Sequence, residues 1–247
     1  MEKTVLIAGK ELPDGANFAS GAVTSARRTL ITKNRTDENA LPPNGTLSAD
    51  WNRPSALSAR SLVLRALNEF GRLDESVFIF DEQHFSGKFD SLENATENVH
   101  LIEELVSSYQ YLSMEVVMRT QKKSGEKNPL RLVYVYKSSP SLLECVLKGE
   151  KKPSAKPSSP FLSAAASAFK AYAENVAASF VESETVFPLL VQCDFDNPLY
   201  SNDNALATWL FGYIATLESL RKPLLPKQKL TWVKAGTKSP GGFGFFG

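Results

Sequence analysis

Cysteine and histidine are scarce in this chain, and their scarcity removes several classes of site. Two cysteines and two histidines occur among 247 residues: Cys145, Cys193, His84 and His100. The cysteines lie far apart and neither histidine stands at metal-ligand spacing from them, so a disulfide framework and a zinc site are both unexpected. The sequence therefore predicts no metal centre.

The chain also lacks an excess of one charge and a long apolar run. Its 28 Lys and Arg residues nearly balance its 27 Asp and Glu residues, which does not indicate a basic surface for nucleic acid or for an anionic membrane. No stretch approaches the ~18 uninterrupted apolar residues of a membrane span. The first residues form a strand-like run without the pattern of a signal peptide. We expect a soluble, cytoplasmic protein that binds neither nucleic acid nor membranes.

Short apolar runs alternate with amphipathic helical patterns along the chain. Seven runs predict strands: Val5–Ala8, Leu30–Thr32, Thr46–Ala49, Val77–Phe80, Leu132–Tyr136, Val186–Cys193 and Leu230–Val233. Helical spacing of apolar residues occurs at 55–70, 91–121, 160–181 and 203–220. This alternation predicts an α/β fold, a Rossmann-like doubly wound parallel sheet of about seven strands with helices on both faces. We expect a single domain over 1–247, a mobile loop near 148–160 and a Gly/Phe-rich C-terminal tail.

One segment resembles a known family. Residues 66–74, Ala-Leu-Asn-Glu-Phe-Gly-Arg-Leu-Asp, precede the strand Ser76–Phe80 and resemble the helix end, turn and fourth strand of the short-chain dehydrogenases/reductases. Asp50, after the third strand, matches the family's aspartate near the adenine ring. The resemblance implies an NAD(P)-binding Rossmann fold. It also implies a homodimer or homotetramer formed through the two long helices, here about 91–121 and 158–181.

The first turn departs from the family's phosphate-binding pattern. The family's Thr-Gly-x-x-x-Gly-x-Gly is here Ala8-Gly9-Lys-Glu-Leu-Pro13-Asp-Gly15. The middle glycine normally lets the backbone approach a pyrophosphate, whereas Pro13 has no N–H to donate. By resemblance, a dinucleotide would meet Gly9, Pro13, Gly15, Asp50 and, for a 2′-phosphate, Arg35; a plain solvated loop is the alternative for Arg35.

The family's catalytic Tyr-x-x-x-Lys motif has no counterpart. Matching Val176-Ala177 to the family's Leu-Ala near the helix end puts Leu162 at the tyrosine and Ala166 at the lysine, and a shift by one residue gives Phe161 and Ala165. Neither register supplies a proton donor or a cation. The pattern therefore indicates that the ordinary proton transfer of the family is lost.

Two other parts of the family's site are also altered. The region of the Asn-Asn-Ala-Gly run is here Phe-Ile-Phe-Asp-Glu-Gln-His at 78–84, and the Pro-Gly after the sixth strand is replaced by Asp196-Asn197. Ser138, with Ser139 as the neighbouring register, stands where the catalytic serine is expected. Asn98 matches the family's helix asparagine. These losses leave it open whether the chain is an enzyme.

The preferred hypothesis is a degenerate member of this fold that acts as a non-catalytic binding or regulatory homo-oligomer and needs no cofactor. The alternative is an NAD(P)-dependent oxidoreductase in which Tyr136 is a displaced catalytic acid and Lys137 its neighbouring cation. A third hypothesis is an enzyme of another class that uses Asp81 and His84 in the same cleft.

Overall fold

The computed structural model describes residues 2–34, 40–86, 95–122, 129–147, 149, 156–220 and 226–239. Seven strands lie in these ranges: β1 Lys3–Leu12, β2 Arg27–Lys33, β3 Thr46–Asp50, β4 Glu75–Asp81, β5 Leu130–Lys137, β6 Val186–Cys193 and β7 Val233–Lys234. The helices are α1 Ala16–Thr24, α2 Ala56–Phe70, α3 Glu82–Phe85, α4 Ala95–Lys122, α5 Leu142–Leu147, α6 Pro160–Ser179, α7 Asp203–Ser219 and α8 Pro226–Lys229.

The strands form one parallel sheet in the order β3-β2-β1-β4-β5-β6-β7. The order reverses between β1 and β4, so connections on the two sides of this point run in opposite directions. In such sheets ligands bind in the crevice beyond the carboxyl ends of the strands at the reversal. This topology confirms the predicted Rossmann-like doubly wound sheet.

Helices cover both faces of the sheet and create two apolar cores. One core lies between the sheet and α2, α4 and α6; the other lies between the sheet and α1 and α7. Every residue of β4 is buried, as expected for a central parallel strand that is covered on both faces. The continuous apolar run Val77–Phe80 in the sequence therefore predicted this central strand correctly.

Local signals set several helix ends. The Ser55 side chain accepts a hydrogen bond from the Ser58 N–H at the start of α2, and Gly71 ends that helix with a φ of 78°. Ser159 caps α6 ahead of Pro160, and Asn202 caps α7. Hydroxyl and amide caps satisfy otherwise unpaired N–H groups, and glycine adopts positive φ without strain.

The last strand differs from its prediction. The expected strand Leu230–Val233 is wrong in its start: only Val233–Lys234 pair with β6, at Val191 and Gln192. Residues 226–229 form α8 instead, and the chain turns at Leu230. A β-branched run can predict a strand, but a parallel strand exists only where a neighbour offers hydrogen bonds.

The predicted mobile loop and the predicted C-terminal tail fall wholly or partly outside the described residues. Residues 156–159 of the expected mobile loop are irregular, and α6 begins at Pro160, whereas 148 and 150–155 and the tail 240–247 lie outside the described residues. No described helix has the length and apolarity needed to cross a membrane. The single-domain boundaries stay a prediction.

Candidate functional site

Four charged side chains close the crevice at the carboxyl end of the sheet. Lys10 of β1 donates to Asp81 of β4 at 2.7 Å and to Asp203 at the start of α7 at 2.6 Å. Lys137 of β5 contacts the same carboxylates, at 3.1 Å and 2.7 Å. Two lysines and two aspartates thus alternate around a ring, which we call the charge ring.

The charge ring is well shielded from water, which strengthens its ion pairs. Burial opposes a charged Asp81, but Lys137 and Lys10 outweigh it and lower the pKa of this carboxyl. Burial likewise opposes a charged Lys10, but Asp81 and Asp203 raise its pKa above the ordinary value. Lys10 and Asp81 therefore both stay ionised at physiological pH.

A second buried ion pair lies beside the ring, between β1 and the turn after β3. The Arg53 guanidinium donates to both carboxylate oxygens of Glu11 at 3.0 Å, and to the Gly9 carbonyl at 2.8 Å. Burial opposes a charged Glu11, but Arg53 outweighs it and lowers the pKa of Glu11 to about 2. The bidentate geometry fixes both side chains in one position.

Aromatic rings enclose this pair. The guanidinium carbon of Arg53 lies 4.9 Å from the ring centres of Trp51 and Phe85, and 5.6 Å from that of Tyr109. Such contacts stabilise a cation that has been removed from water. The pair therefore forms part of the packed interior and is not an open binding subsite.

His84 extends the network toward α1. Its Nδ1 lies 2.9 Å from the Asp14 carboxylate and its Nε2 lies 3.7 Å from Glu11. Asp81, in contrast, accepts the His84 backbone N–H and directs its other oxygen to the charge ring. The side chains of Asp81 and His84, on which the hypothesis of an enzyme of another class depends, therefore have separate partners.

The turn between β1 and α1 uses its own backbone hydrogen bonds. The Gly15 N–H donates to the Glu11 carbonyl and the Ala16 N–H to the Pro13 carbonyl, each at 3.0 Å. β1 continues through this region as far as Leu12, which pairs with Lys33 of β2. The N–H groups that a phosphate-binding turn would direct at a ligand are thus partly consumed within the turn.

Gly9 and Gly15 each fill a place where no side chain fits. A Cβ at Gly9 would lie 2.1 Å from the Ile79 carbonyl oxygen and 2.6 Å from the Tyr109 hydroxyl, and a Cβ at Gly15 would lie 2.1 Å from the Lys10 carbonyl oxygen. Packing within the chain therefore accounts for both glycines without any ligand.

Tyr136 lies on the other face of β5 from the charge ring. Its hydroxyl donates to Glu82, and burial together with the negative charge of Glu82 raises its pKa far above the usual value. Lys137 follows Tyr136 directly and so points to the opposite face. The cation near the Tyr136 ring is Lys170, whose Nζ lies 5.0 Å from the ring centre.

The remaining candidate residues are dispersed. Ser138 donates to Asp194 at 3.1 Å, and Asp50 is an exposed partner of Lys33 at 3.5 Å. Asn98 lies in α4, but its side chain is not described, and Arg35 lies outside the described residues.

The two positions aligned with the catalytic dyad lie in the apolar core. Leu162 and Ala166 are both buried on the sheet-facing side of α6, and so is Ala165 of the shifted register. Phe161, its partner in that register, is partly buried.

Sequence reasoning missed the residues that dominate this region: Lys10, Glu11, Arg53 and Asp203. The sequence did contain an indication of the charge ring. Three of its members, Lys10, Asp81 and Lys137, stand at or near the carboxyl ends of apolar strands. Carboxyl ends of neighbouring parallel strands meet at one edge, so charges there are expected to pair. No comparable signal joins Arg53 to Glu11.

Comparisons with known proteins agree with the observed topology. No family model matches the chain, and no curated protein matches it. Many solved structures do match. The 3-ketoacyl-(acyl-carrier-protein) reductase from Brucella melitensis, complexed with NADH, is 13% identical with a TM-score of 0.59, over 94% of this chain and 95% of that chain. A short chain dehydrogenase from Mycobacterium smegmatis is 16% identical with a TM-score of 0.57, over 83% and 84%.

A third match, ElxO with NADP bound, is 15% identical with a TM-score of 0.54, over 78% of this chain and 73% of that chain. Two of these three proteins thus carry a dinucleotide, so the comparisons give no support to the expectation that this chain needs no cofactor. Likeness at such low identity concerns the fold. The seven-stranded parallel sheet, its strand order and these matches together show that the chain has the fold of the short-chain dehydrogenases/reductases.

Proposed function

We propose that this chain is a non-catalytic protein on the short-chain dehydrogenase/reductase fold, which acts by binding or regulation as a homo-oligomer. The observation that carries the proposal is the occupation of the cofactor crevice by the chain's own ion pairs. The charge ring fills it at β1, β4 and β5, and the Glu11–Arg53 pair fills it toward β3.

Electrostatics and energetics argue against a dinucleotide in this crevice. A cleft of about 430 Å³ remains above the charge ring. Three aspartates, Asp14, Asp81 and Asp203, line it together with the two ring lysines, which the ring aspartates already neutralise. A pyrophosphate would compete with these carboxylates for the lysines, and Glu11, which is ionised at physiological pH because its pKa is about 2, already holds Arg53. Breaking a buried ion pair costs about 3–5 kcal/mol, whereas a micromolar ligand gains only about 8 kcal/mol in total. Two broken pairs would remove most of that gain.

The loss of proton-transfer groups supports the non-catalytic half of the proposal. A general acid in this family's chemistry needs a lowered pKa, which a neighbouring cation supplies. Tyr136 has the reverse surroundings, because burial and the Glu82 carboxylate, which accepts a hydrogen bond from its hydroxyl, both raise its pKa. The oxidoreductase alternative with Tyr136 as acid therefore has weaker support. The cytoplasmic location stays a prediction.

The oligomer is proposed to form through α4 and α6. Both helices belong to the layer that covers one face of the sheet, so their outward surfaces lie on one side of the molecule. Met114 and Met118 of α4 are 57% and 39% exposed, and α6 presents exposed small residues such as Ala164 and Ala171. Small residues allow a second pair of helices to approach closely, and the methionines supply apolar contact.

A dinucleotide titration tests the proposal. The full chain is titrated with NADH and with NADPH up to millimolar concentration, while energy transfer from tryptophan and the thermal unfolding temperature are followed. Trp51, 2% exposed and packed on Arg53, reports on the crevice. We expect no saturable transfer and no thermal shift.

Saturable micromolar binding would overturn the occupied-crevice argument. A larger loss of energy transfer in Trp51→Phe than in Trp209→Phe, on α7, would place the bound nucleotide in the crevice. In that case Tyr136→Phe distinguishes a binding protein without turnover from an oxidoreductase that uses Tyr136 as its acid. Loss of steady NAD(P)H turnover in this variant would establish the oxidoreductase.

A further inference from the structure

A cavity of about 490 Å³ opens at the opposite end of the sheet, beside the amino-terminal half of β6. β7 pairs only with Val191 and Gln192, in the carboxyl-terminal half of β6. Among the described strands, none covers β6 from Val186 to Leu190 on that side. Pro188, a residue tolerated at sheet edges, lies in this half of the strand. The cavity is thus remote from the crevice and independent of the proposed function.

The cavity wall is apolar on several sides. Phe180 follows the end of α6, Phe187 lies on β6, and Leu217 lies in the last turn of α7; all three line the cavity. The volume falls within the range of about 300–1,000 Å³ found for small-molecule sites, which combine an apolar wall with few polar groups. A hydrocarbon group of moderate length would fit such a wall.

Arg131 supplies the polar group. It is on β5, and its guanidinium carbon lies 5.4 Å from the centre of the Phe187 ring. Its Nε is fully buried and has no hydrogen-bond partner among the described residues. Burial lowers the pKa of Arg131, and the charges of Glu218 and Glu75 offset this only in part.

The nearby carboxylates are engaged with other cations. Glu75, on β4, pairs with Arg27 at 3.1 Å and lies 4.0 Å from Lys3. Glu218, at the cavity rim, pairs with Lys3. Arg131 is therefore a cation with an unused buried donor at an apolar wall. The Nε atom itself is out of a ligand's reach, but Arg131 as a whole is only partly buried and lines the cavity. An anionic group at its guanidinium would compensate the positive charge that burial disfavours.

The charge of the whole lining favours the same kind of ligand. Three cations, Lys3, Arg131 and Lys229, face one carboxylate, Glu218. Lys229 already donates to the Val181 carbonyl at 2.6 Å and Lys3 to Glu218, which leaves Arg131 as the cation best placed for a ligand among the described lining residues.

We propose that this cavity binds an amphipathic monocarboxylate, with the carboxylate at Arg131 and the hydrocarbon part against Phe180, Phe187 and Leu217. The planar guanidinium suits a carboxylate because it can donate two parallel hydrogen bonds. The class includes medium-chain fatty acids and aryl carboxylates, which share one anionic group and one apolar body.

Calorimetric titration of the full chain with octanoate, and with octanol as a neutral ligand of the same chain length, tests the site. We expect saturable octanoate binding and binding of octanol that is weaker by about tenfold or more, as for a hydrogen bond to a charged group. Arg131→Met should remove this preference. Arg65→Met, on the exposed side of α2, should leave it unchanged.

Two further measurements separate ligand loss from misfolding. Arg131→Met removes a partly buried cation whose Nε has no partner among the described residues, so its thermal unfolding temperature without ligand should equal or exceed that of the parent chain. Leu217→Trp should fill the cavity and abolish binding of both ligands. Equal affinity for octanoate and octanol, unchanged octanoate binding in Arg131→Met, or no saturable octanoate binding would each overturn the proposal.

Discussion

Gly9 illustrates how a residue that matches a cofactor motif can be required by packing alone. Its φ of 102° is in the left-handed region that favours glycine. The Tyr109 hydroxyl passes over it to donate to the Ile79 carbonyl at 2.6 Å. The same glycine leaves its carbonyl free to accept from Arg53. Backbone, tyrosine and arginine thus meet at one point that has no space for a Cβ.

Gly9→Ala should therefore destabilise the protein strongly. The added Cβ would lie 2.1 Å from a backbone oxygen that cannot easily move, and the positive φ adds strain, so we expect the free energy of unfolding to fall by more than about 2 kcal/mol. Urea denaturation measures the change. Gly212→Ala, in α7 with nothing within 4 Å of the new Cβ, is the control and should be neutral or stabilising. Equal effects of the two substitutions would contradict the packing argument.

At the scale of elements, sequence predicted the strands and helices but not the network at their ends. The central strands are short apolar runs, and the helices show an apolar stripe, so both signals are local. The Glu11–Arg53 pair joins residues 42 positions apart, and the Lys10–Asp203 contact joins residues 193 apart. Such pairings depend on strand order and on where β1 ends. The shortness of β7 was missed because its run resembles a longer strand.

Glu11, near the carboxyl end of β1, should make stability depend on pH in the acid range. Glu11 has a pKa of about 2 in the folded protein, against 4.5 for an ordinary glutamate. A lowered pKa stabilises the folded state above the unfolded value, and this contribution is lost as pH falls from about 4.5 to about 2. The loss amounts to at most about 3 kcal/mol.

Urea unfolding across this pH window checks the prediction. The double variant Glu11→Gln/Arg53→Met removes both charges without leaving one unpaired, so its stability should fall less steeply with acid than that of the parent chain. Asp50→Asn, which alters an exposed carboxylate, is the matched control and should retain the steep dependence. Identical pH profiles for the parent chain and the double variant would rule out this role for Glu11.

At the scale of the whole molecule, the two sides of the sheet have different outer surfaces. α1 and α7 pack against each other on one side. On the other side α4, with 28 residues, and α6, with 20, lie side by side. At about 1.5 Å per residue, α4 extends about 40 Å and α6 about 30 Å. Both are long enough to contribute to a two-fold interface of standard size, about 1,600 Å² in total. Ala165 and Phe169 of α6 are buried in the core, so an interface must use other positions of this helix.

Substitution of the exposed methionines of α4 tests the oligomer. Met114→Glu/Met118→Glu places two like charges a helical turn apart on the proposed interface, where burying them without partners is unfavourable. We expect a dimer or tetramer for the parent chain and a monomer for this variant by size-exclusion chromatography with light scattering. Leu57→Glu, on an α2 residue that is 74% exposed, should leave the oligomer intact. Because a two-fold interface repeats each contact, the paired charges of the variant act twice in every dimer. A strictly monomeric parent chain would exclude this interface.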